Sequence, residues 1–430
     1  MLALYSFLYS LALGLGMAVS LPYWLFQMLR HGKYRAGLSE RLGRVPARLR
    51  LLESEGPVIW VHAVSVGEVL AVAGLVEELQ RRFERCRILV STTTDTGQAL
   101  ARKRFGDGRV FYFPMDFAFA IRPWLKALRP RMIVIAETEF WPNFLRLAHK
   151  SGTRIAVVNA RISDRSFPRY RRFSGLMRKL LQYVDLFLAQ TEEDASRLRD
   201  IGAPRERVQV AGNMKFDLPT PAPSAILERL RESIAAANAG PVLVCGSTVE
   251  GEEALLLNAF RGVLSKYPNS LTILAPRHPE RFDEVAELLE QRSMRSYRRS
   301  SWNGQALAGA VLLFDTIGEL APLYALADIA FVGGSLVPRG GHNIIEPALH
   351  GAAIVVGKHT ENFREIVSLF QRHDAVRITE ATKLASVLID LLANEVERKA
   401  FGQRAAAIMR SQRGATARTI DELQRLLTQS

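Results

Sequence analysis

The chain is organised around Phe331-Val-Gly-Gly-Ser-Leu-Val-Pro-Arg-Gly-Gly-His-Asn-Ile-Ile-Glu-Pro-Ala-Leu-His350. An apolar run that predicts a buried strand leads into two glycine pairs, and an apolar stretch with helical spacing follows. A strand, a glycine loop and a helix N-terminus in this order direct unpaired backbone N–H groups at a phosphate. His342, Asn343 and Glu346 lie where side chains would face the same ligand. We therefore predict a phosphate-binding turn; an ordinary turn with polar caps is the alternative.

Short apolar runs alternate with helical patterns along most of the chain. The predicted strands lie at 58–64, 87–92, 110–113, 132–136, 155–159, 186–189 and 208–211, and then at 242–245, 271–275, 311–314, 329–332, 354–356 and 376–378. Continuous apolar strands that alternate with helices indicate parallel sheets covered on both faces. Asp217–Ser224, which has proline at every second residue, separates the two series as a stiff linker.

The predicted fold is therefore α/β, with two doubly wound domains and a strandless helical tail. Ligands in such folds bind at the carboxyl ends of the strands. The cleft between the two domains is accordingly the expected site.

The composition is globular with a basic surplus. The 430 residues include 57 Lys and Arg against 43 Asp and Glu, a formal net charge of +14. This balance favours nucleic acid, an anionic membrane or a polyanionic substrate as the partner, and composition alone does not choose among them. Cys86 and Cys245 lie beside apolar runs, which indicates core positions and a mainly cytosolic chain without a disulfide framework.

The first 28 residues contain no charged side chain. Such a run is long enough to cross a hydrocarbon core of about 30 Å. Basic residues follow from Arg30 onward and would hold this flank on the cytoplasmic side. A cleaved signal peptide is disfavoured because the basic segment lies after the apolar run instead of before it. Glycines and Pro22 weaken the helix, so an anchor that lies in the interface stays open beside one that spans.

A second basic segment mixes arginine with large apolar side chains. Its basic members are Arg161, Arg165, Arg169, Arg171, Arg172, Arg178 and Lys179, and its apolar members are Phe167, Tyr170, Phe173 and Leu176. A solvated helix face is the plain alternative. In a membrane-attached protein the mixture predicts docking to anionic lipid head groups, and the N-terminal anchor argues against nucleic acid.

Several common site motifs are missing from the sequence. No G-x-G-x-x-G follows the first strand of either predicted domain, which disfavours a nicotinamide or flavin cofactor. There is no P-loop motif, no Asp-x-Asp pair and no close pair of histidines on one helix. We therefore predict neither a cofactor nor a dedicated metal site.

The first predicted domain offers Glu68 in the turn Val61-His-Ala-Val-Ser-Val-Gly-Glu68. A carboxylate in the first turn of a helix is either a partner of the helix dipole or, facing a cleft, a general base. Position alone leaves both interpretations open.

Two further candidates follow later strands of this domain. Of the carboxylates in Glu137-Thr-Glu-Phe-Trp-Pro-Asn143, we favour Glu139 as the functional member, with simple helix capping by Thr138 or Asn143 as the alternative. Lys215 lies just before the linker and is either an ordinary exposed lysine or a cation that neutralises a phosphate or a developing negative charge.

The second predicted domain presents polar groups after several successive strands. They lie in Cys245-Gly-Ser-Thr248, in Ala275-Pro-Arg-His-Pro-Glu-Arg-Phe282 and in Thr316-Ile-Gly-Glu-Leu320, beside the opening glycine loop. Arg277 and His278 fit a rigid phosphate or base contact, or are exposed loop residues. The convergence of these groups on one rim is more informative than any single motif.

Five motifs together resemble a known family. They are His62-Ala-Val-Ser-Val-Gly-Glu68, Glu137-Thr-Glu-Phe-Trp-Pro-Asn143, Gly212-Asn-Met-Lys-Phe-Asp217, Ala275-Pro-Arg-His-Pro-Glu-Arg-Phe282, and Gly333-Gly-Ser-Leu-Val337 with Gly340-Gly-His-Asn343 and Glu346. In this order they resemble the Kdo (3-deoxy-D-manno-octulosonic acid) transferases of lipopolysaccharide assembly, over essentially the whole chain. Ile344-Ile345 departs from the Pro-Leu expected before the glutamate, which should alter packing and leave the chemistry unchanged.

The resemblance implies a GT-B glycosyltransferase that moves Kdo from CMP-Kdo to lipid IVA, a bisphosphorylated acylated glucosamine disaccharide. It implies inversion without a metal, with Glu68 as the base and with Glu139 and Lys215 supporting the transition state or the Kdo carboxylate. The residues that would hold CMP are Pro276, Arg277, Ile317, Gly318, Glu319, Asn343, Ile344, Ile345 and Glu346.

Together these interpretations predict five segments. They are an anchor at 1–29, an acceptor domain with a basic membrane-facing surface at 30–218, a linker at 219–226, a CMP-Kdo domain at 227–405 and a helix at 406–430 that returns to the first domain. The expected location is the cytoplasmic side of the inner membrane, with anionic lipids as partners and no nucleic acid. The alternatives are a GT-B-like nucleotide-sugar epimerase or other nucleotide-sugar transferase, and a membrane-tethered nucleotide-binding or scaffold protein.

Overall fold

The computed structural model describes residues 2–31, 36–50, 56–217 and 224–428. The chain divides into two compact units, one made of Met1–Leu218 with Gln412–Ser430 and the other of Pro219–Ser411. Most of the predicted linker, residues 219–223, lies outside the described residues, as do Lys33 and Arg35 of the predicted basic flank.

The first unit is built on a seven-stranded parallel sheet. Its strands are β1 (Val58–His62), β2 (Arg87–Thr92), β3 (Val110–Tyr112), β4 (Pro130–Ala136), β5 (Arg154–Ala160), β6 (Leu186–Ala189) and β7 (Val208–Val210). Its helices are α1 (Leu2–His31), α2 (Leu38–Arg41), α3 (Val66–Ala71), α4 (Ala73–Arg82), α5 (Asp95–Phe105), α6 (Ala118–Leu128), α7 (Pro142–Lys150), α8 (Phe167–Arg172), α9 (Ser174–Leu181) and α10 (Glu192–Asp200).

The strand order of this sheet is β3-β2-β1-β4-β5-β6-β7, so the winding reverses between β1 and β4. Side chains alternate between the two faces of each strand. Trp60 accordingly packs in the core on one face, 5.1 Å from the Phe144 ring, while Ile59 and Val61 pack in the core on the other face. Helices cover both faces, as the continuous apolar strands predict. The crevice of a doubly wound sheet lies at such a reversal, here in the loops after β1 and β4.

The second unit repeats the architecture with a second seven-stranded parallel sheet. Its strands are β8 (Val242–Thr248), β9 (Leu271–Pro276), β10 (Ser296–Arg298), β11 (Val311–Leu313), β12 (Ile329–Val332), β13 (Ala353–Val356) and β14 (Arg377–Ile378). Its helices are α11 (Ala225–Ala236), α12 (Glu252–Lys266), α13 (Phe282–Gln291), α14 (Leu320–Leu323), α15 (Ile345–Leu349), α16 (Arg364–Arg372), α17 (Leu384–Ala393) and α18 (Glu395–Gln412).

The order of the second sheet is β10-β11-β9-β8-β12-β13-β14, with its reversal between β8 and β12. The sequence did not predict β10, because this short edge strand is only half-buried and carries the polar residues Ser296 and Arg298. The prediction of two doubly wound α/β domains is confirmed.

The chain then returns to the first unit through α19 (Ala415–Thr428). Ile420 and Leu423 are fully buried in a core of that unit. The Asp217 carboxylate accepts hydrogen bonds from the backbone N–H groups of Gly414 (2.6 Å) and Thr416 (2.5 Å) and so caps this helix. The unit boundary falls between residues 411 and 412, a few residues after the predicted start of the returning segment at 406.

Helix α1 contains the stretch Leu8–Met28, which is long and apolar enough to cross a membrane by length and composition. None of this stretch is buried. Near its start, the Ser10 hydroxyl accepts a hydrogen bond from the Asn143 side-chain amide of α7 at 2.9 Å. The predicted apolar N-terminal helix is thus present.

Candidate active site

Glu68 lies in the first turn of α3, just after β1. The backbone N–H of Val64 donates to Oε2 at 2.8 Å, and the Ser65 hydroxyl donates to Oε1 at 3.1 Å. The residue is only 9% exposed. These contacts are those of a carboxylate that caps its own helix, so the capping interpretation has direct support.

The pKa of Glu68 differs from that of an exposed capping carboxylate. Burial raises its pKa from 4.5 to about 7, and the negative charges of Glu137 and Glu139 contribute to the rise. The two hydrogen bonds from Val64 and Ser65 act in the opposite direction, because they stabilise the charged form. Burial and like charge outweigh them. A carboxylate with a pKa near neutrality suits a general base.

Glu137 and Glu139 follow β4, the neighbour of β1 across the reversal. Glu137 has a φ of 57°, in the left-handed region that residues other than glycine rarely adopt. Its Oε1 lies 3.4 Å from Nζ of Lys215. Burial, followed by the charge of Glu137, raises the pKa of Glu139 to about 7.

The structure therefore pairs Lys215 with Glu137, the member of the carboxylate pair that the sequence interpretation did not favour. The signal for Glu137 was present in the sequence, since it directly follows Ala136, the last residue of the strand. A residue in that place lies at the carboxyl edge of the sheet, where ligands bind in such folds.

Lys215 lies in a single 3₁₀ turn, Met214–Phe216. The Asn159 side chain, at the end of β5, accepts from the Met214 backbone N–H at 3.1 Å. Asn213 accepts from the Lys215 N–H at 3.0 Å. Asn159 also has a left-handed φ, 52°. Asn159 could not be recognised in advance, because nothing in the sequence shows that the end of β5 meets the residues after β7.

Glu68, Glu137, Glu139 and Lys215 thus form one cluster at the reversal of the first sheet. Lys215 pairs with Glu137, and burial together with the charge of Glu137 raises the pKa of both Glu68 and Glu139. Such a cluster can take a proton from a hydroxyl at neutral pH. Its lysine can also offset negative charge on a bound substrate.

The second unit gathers a different set of groups beyond β9 and β12. Arg277 is exposed, and its backbone N–H donates to the Thr248 carbonyl at 2.9 Å. The Asn343 amide donates to Glu346 Oε1 at 3.5 Å, and Asn343 Oδ1 accepts from the Ile345 N–H at 3.0 Å. Burial raises the pKa of Glu346, while Asn343 and the charge of Arg277 lower it. Arg277, Asn343 and Glu346 therefore lie within electrostatic range of one another.

His342 completes this group. Burial lowers its pKa to about 4, and the positive charge of Arg277 acts in the same direction. The imidazole is therefore neutral at physiological pH. Its Nε2 is buried and has no hydrogen-bond partner among the residues that the structure describes. A neutral ring with an unused nitrogen can donate to or accept from a ligand.

The remaining predicted CMP-binding residues differ in what they can offer. Ile344 and Ile345 are 0% and 1% exposed, so only their backbone groups could meet a ligand; Pro276 is also buried, at the end of β9. Ile317 is exposed and Gly318 has a φ of 92° in the loop after β11.

Glu319 is held on both oxygens. The Arg299 guanidinium donates to Oε1 at 3.1 Å and the Thr316 hydroxyl donates to Oε2 at 2.5 Å. The arrangement fixes the carboxylate at the carboxyl edge of the sheet.

The glycine loop that begins at Gly333 differs in part from the prediction. The backbone N–H groups of Gly334, Ser335 and Leu336 donate to the Glu252 carboxylate at 2.6, 2.8 and 2.8 Å, and Glu252 is fully buried. For the first glycine pair the prediction of unpaired N–H groups is therefore wrong, because the carboxylate already occupies the place of an anion. For the stretch after the second pair, Gly340-Gly341, it stays a prediction. Helix α15 after the loop has only five residues.

Gly333 is required there for a different reason. A Cβ on this residue would come within 2.4 Å of the Ser247 carbonyl oxygen. The glycine pair therefore lets β12 pack against the end of β8 at the reversal. Among the described residues, no group of three His, Cys, Asp or Glu side chains could hold a metal ion.

Two units, each a doubly wound parallel sheet, give the chain the GT-B fold. A UDP-GlcNAc 2-epimerase from Neisseria meningitidis, solved with UDP-GlcNAc bound, matches 86% of this chain and 100% of its own with a TM-score of 0.54. Its sequence is 14% identical. The likeness shows the shared fold and no more, so it does not favour the epimerase alternative.

Sequence relatives identify the family. The family model for 3-deoxy-D-manno-octulosonic-acid transferase (kdotransferase) matches residues 36–218. A 3-deoxy-D-manno-octulosonic acid transferase of Haemophilus influenzae is 34% identical over 91% of both chains. One of Bordetella pertussis is 35% identical over 97% of this chain and 98% of its own. The chain belongs to the Kdo transferase family, which makes it a Kdo glycosyltransferase of lipopolysaccharide biosynthesis.

Proposed function

We propose that this protein transfers Kdo from CMP-Kdo to a hydroxyl of lipid IVA, with inversion at the anomeric carbon, without a metal and with Glu68 as the general base. One observation carries the assignment of the base. Glu68 is a buried carboxylate at the reversal of the first sheet, and burial raises its pKa to about 7. A solvent-exposed capping carboxylate keeps a low pKa, because its hydrogen bonds favour the charged form and no burial opposes them.

The proposed step is a single displacement. Glu68 accepts the proton of the acceptor hydroxyl as the oxygen bonds to the anomeric carbon of Kdo. The bond from that carbon to the CMP phosphate oxygen breaks, and CMP leaves with the bonding electrons. Because the oxygen attacks from the face opposite CMP, the configuration inverts. Proton removal by a placed base contributes roughly 10²- to 10⁴-fold to such a rate.

Lys215 and Glu139 support this step in the proposal. The Lys215 ammonium, 3.4 Å from the Glu137 carboxylate, offers positive charge to the carboxylate of Kdo as the transition state forms. Glu139, whose pKa is also about 7, binds the acceptor through hydrogen bonds to its hydroxyls.

CMP is held by the second unit in this proposal. Arg277 contacts the phosphate, since its guanidinium is exposed and can bind two oxygens at once. Asn343 and Glu346 bind the nucleoside, and Ile344 and Ile345 contribute backbone groups only. Ile317, Gly318 and Glu319 contribute from the loop after β11.

The first unit also carries the features that suit a membrane-bound acceptor. Phe173 and Leu176 are 56% and 45% exposed on and beside α9, next to the exposed residues Arg171 and Arg172. Apolar side chains among basic ones suit an anionic lipid surface. With α1, they support attachment to the cytoplasmic side of the inner membrane. We propose no nucleic-acid partner.

The test is product formation by the full-length protein. Protein in lipid vesicles is incubated with CMP-Kdo and lipid IVA, and mass spectrometry reads the product. We expect lipid IVA to gain Kdo, and the mass also counts the units added. If no Kdo-lipid forms while CMP-Kdo stays intact, the proposal is refuted.

A matched pair of variants tests the base. Glu68→Gln should abolish most transfer. Glu192→Gln is its control, since Glu192 also lies in the first turn of a helix, α10, but is 75% exposed in its side chain and pairs with Arg199. Near wild-type transfer by the Glu68 variant would show that another group is the base.

A further inference from the structure

A pocket in the first unit lies between α1 and helices α8 and α9. Its volume is about 690 Å³, within the range of roughly 300–1,000 Å³ of sites that bind small molecules. The wall is mainly apolar and aromatic, and it includes Ala12, Phe140, Leu176 and Leu180. Among the described residues that line it, Glu139 is the one carboxylate. The pocket therefore lies directly beside Glu139 of the candidate catalytic cluster.

Polar contacts fix α1 against this pocket. The Tyr9 hydroxyl hydrogen-bonds to the Asp116 carboxylate, which also accepts from the N–H groups of Asn143 (3.1 Å) and Phe144 (2.8 Å) at the start of α7. Ser10 bonds to the Asn143 side chain at 2.9 Å. These contacts set the rotation of an otherwise apolar helix. Its residue Ala12 lies in the pocket wall as a result.

We propose that this pocket binds one fatty-acyl chain of the lipid acceptor; the proposal rests on the transferase function proposed above. The wall is mainly apolar, with Glu139 and Lys179 as its charged members among the described residues. It therefore favours an acyl chain over a sugar or a phosphate, which would lose hydrogen bonds to water against the apolar part. The presence of Glu139 in the same wall means that the sugar attached to the chain lies at the carboxylate cluster. The acyl chain thus orients the hydroxyl that reacts.

The residues around the pocket favour entry of an acyl chain from a membrane. Leu176 belongs to the wall and is also 45% exposed, and Phe173 beside it is 56% exposed. The exposed guanidiniums of Arg169 and Arg172 lie on the adjacent helix α8. An anionic lipid can therefore keep its phosphates near arginine while one chain moves from the bilayer into the pocket.

The occupant is the acceptor and not bulk phospholipid, because binding here places a substrate sugar at the cluster. A chain that passes from lipid into an apolar pocket gains little from the hydrophobic effect, since lipid is equally apolar. The pocket therefore affects the orientation and the KM of the acceptor, while attachment of the protein to the membrane stays unchanged.

A filled pocket tests the proposal. Ala12→Trp places an indole in the cavity from an exposed position of α1. Ala18→Trp is the matched control, because Ala18 is also exposed on α1 and does not line the pocket. With full-length protein in vesicles, we expect Ala12→Trp to raise the KM for lipid IVA by about tenfold or more. The KM for CMP-Kdo, vesicle flotation and the rates of Ala18→Trp should stay at wild-type values.

A second variant shows whether the effect of Ala12→Trp comes from filling the pocket or from disturbed folding. Leu176→Trp fills the same pocket from α9, at a partly exposed position. We expect the same selective rise in acceptor KM. Wild-type acceptor KM in both pocket variants would overturn the proposal.

Cross-linking distinguishes this proposal from the transferase function itself. Lipid IVA with a photoreactive diazirine near the end of one acyl chain should label peptides of α1 and α9 in the wild-type protein, and Ala12→Trp should lose that label. Excess unlabelled lipid IVA should compete, and phosphatidylglycerol should not. Equal competition by phosphatidylglycerol, or labelling elsewhere, would overturn the pocket assignment. A protein that is labelled at this pocket but makes no Kdo-lipid would instead refute the proposed function.

Discussion

Replacing Glu68 by glutamine should stabilise the protein at pH 8 while it removes activity. Burial raises the pKa of Glu68 from 4.5 to about 7. Between these pH values the folded state keeps a proton that the unfolded state has lost, so stability falls as pH rises from about 4.5 to about 7. At about 1.4 kcal/mol for each tenfold change in proton affinity, the cost above pH 7 is about 3 kcal/mol.

Glutamine avoids this cost and keeps the local hydrogen bonds. Its amide oxygen can accept from the Val64 N–H, and its NH₂ group can donate to the Ser65 hydroxyl. The first unit of Glu68→Gln should therefore unfold roughly 6–12 °C above the wild-type unit at pH 8. The difference should shrink as the pH is lowered toward 4.5, where wild-type Glu68 is protonated in both states.

Activity should move in the opposite direction. Wild-type kcat/KM should rise with pH through about 7, as Glu68 loses its proton. In Glu68→Gln it should fall by roughly 10²- to 10⁴-fold and lose that rise. The measurements are calorimetry at pH 5 and pH 8 and transfer rates across the same range. A variant that is less stable than wild type at both pH values would show that Glu68 is mainly a structural cap, and the reasoning would be refuted.

Three other substitutions test separate parts of the structure. Glu252→Ala leaves the buried N–H groups of Gly334, Ser335 and Leu336 without a partner. The free energy of unfolding of the second unit, measured in urea, should therefore fall by about 3 kcal/mol or more. Glu250→Ala, at an exposed position, is the control and should lose almost none. Arg277→Gln should raise the KM for CMP-Kdo about tenfold and leave the acceptor KM unchanged, since a charge-assisted phosphate contact is lost; a change in acceptor KM alone would contradict its placement. Lys215→Met should lower kcat more than it changes either KM, because the lysine is proposed to act on charge in the transition state, and wild-type kcat would exclude that role.

The strands and their alternation with helices could be predicted from the sequence because they depend on local composition. Residues 58–61 and 132–136 are continuous apolar runs, and such runs indicate strands that are buried on both faces. The edge strand Ser296–Arg298 could not be predicted this way, because half-buried polar residues carry no such signal.

The contacts of the site depended on which strands become neighbours. Asn159 supports Lys215 only because the residues after β5 and β7 meet, and they are 55 residues apart in the chain. Glu252 reaches the glycine loop across more than 80 residues. A sequence pattern can place each residue at the end of a strand, but it does not show which polar groups are already satisfied by others.

Glu68 and Glu252 show how far environment separates two residues in equivalent places. Each follows the first strand of its sheet and lies in the first turn of the next helix, α3 or α12. Four backbone N–H groups donate to Glu252, from Val249 and from Gly334, Ser335 and Leu336. Its carboxylate therefore holds the glycine loop after β12 in place.

Glu68 receives one backbone N–H and one hydroxyl, and its other neighbours include two carboxylates. Donors stabilise the charged form of a carboxylate, while like charges favour the form that holds a proton. Burial raises the pKa of both carboxylates, but four backbone donors oppose the rise at Glu252, whereas the charges of Glu137 and Glu139 add to it at Glu68. The same position in the fold therefore holds a structural anchor in one unit and the proposed base in the other. The difference arises from the loop that each neighbouring strand supplies: β12 supplies a glycine loop of N–H donors, and β4 supplies Glu137 and Glu139.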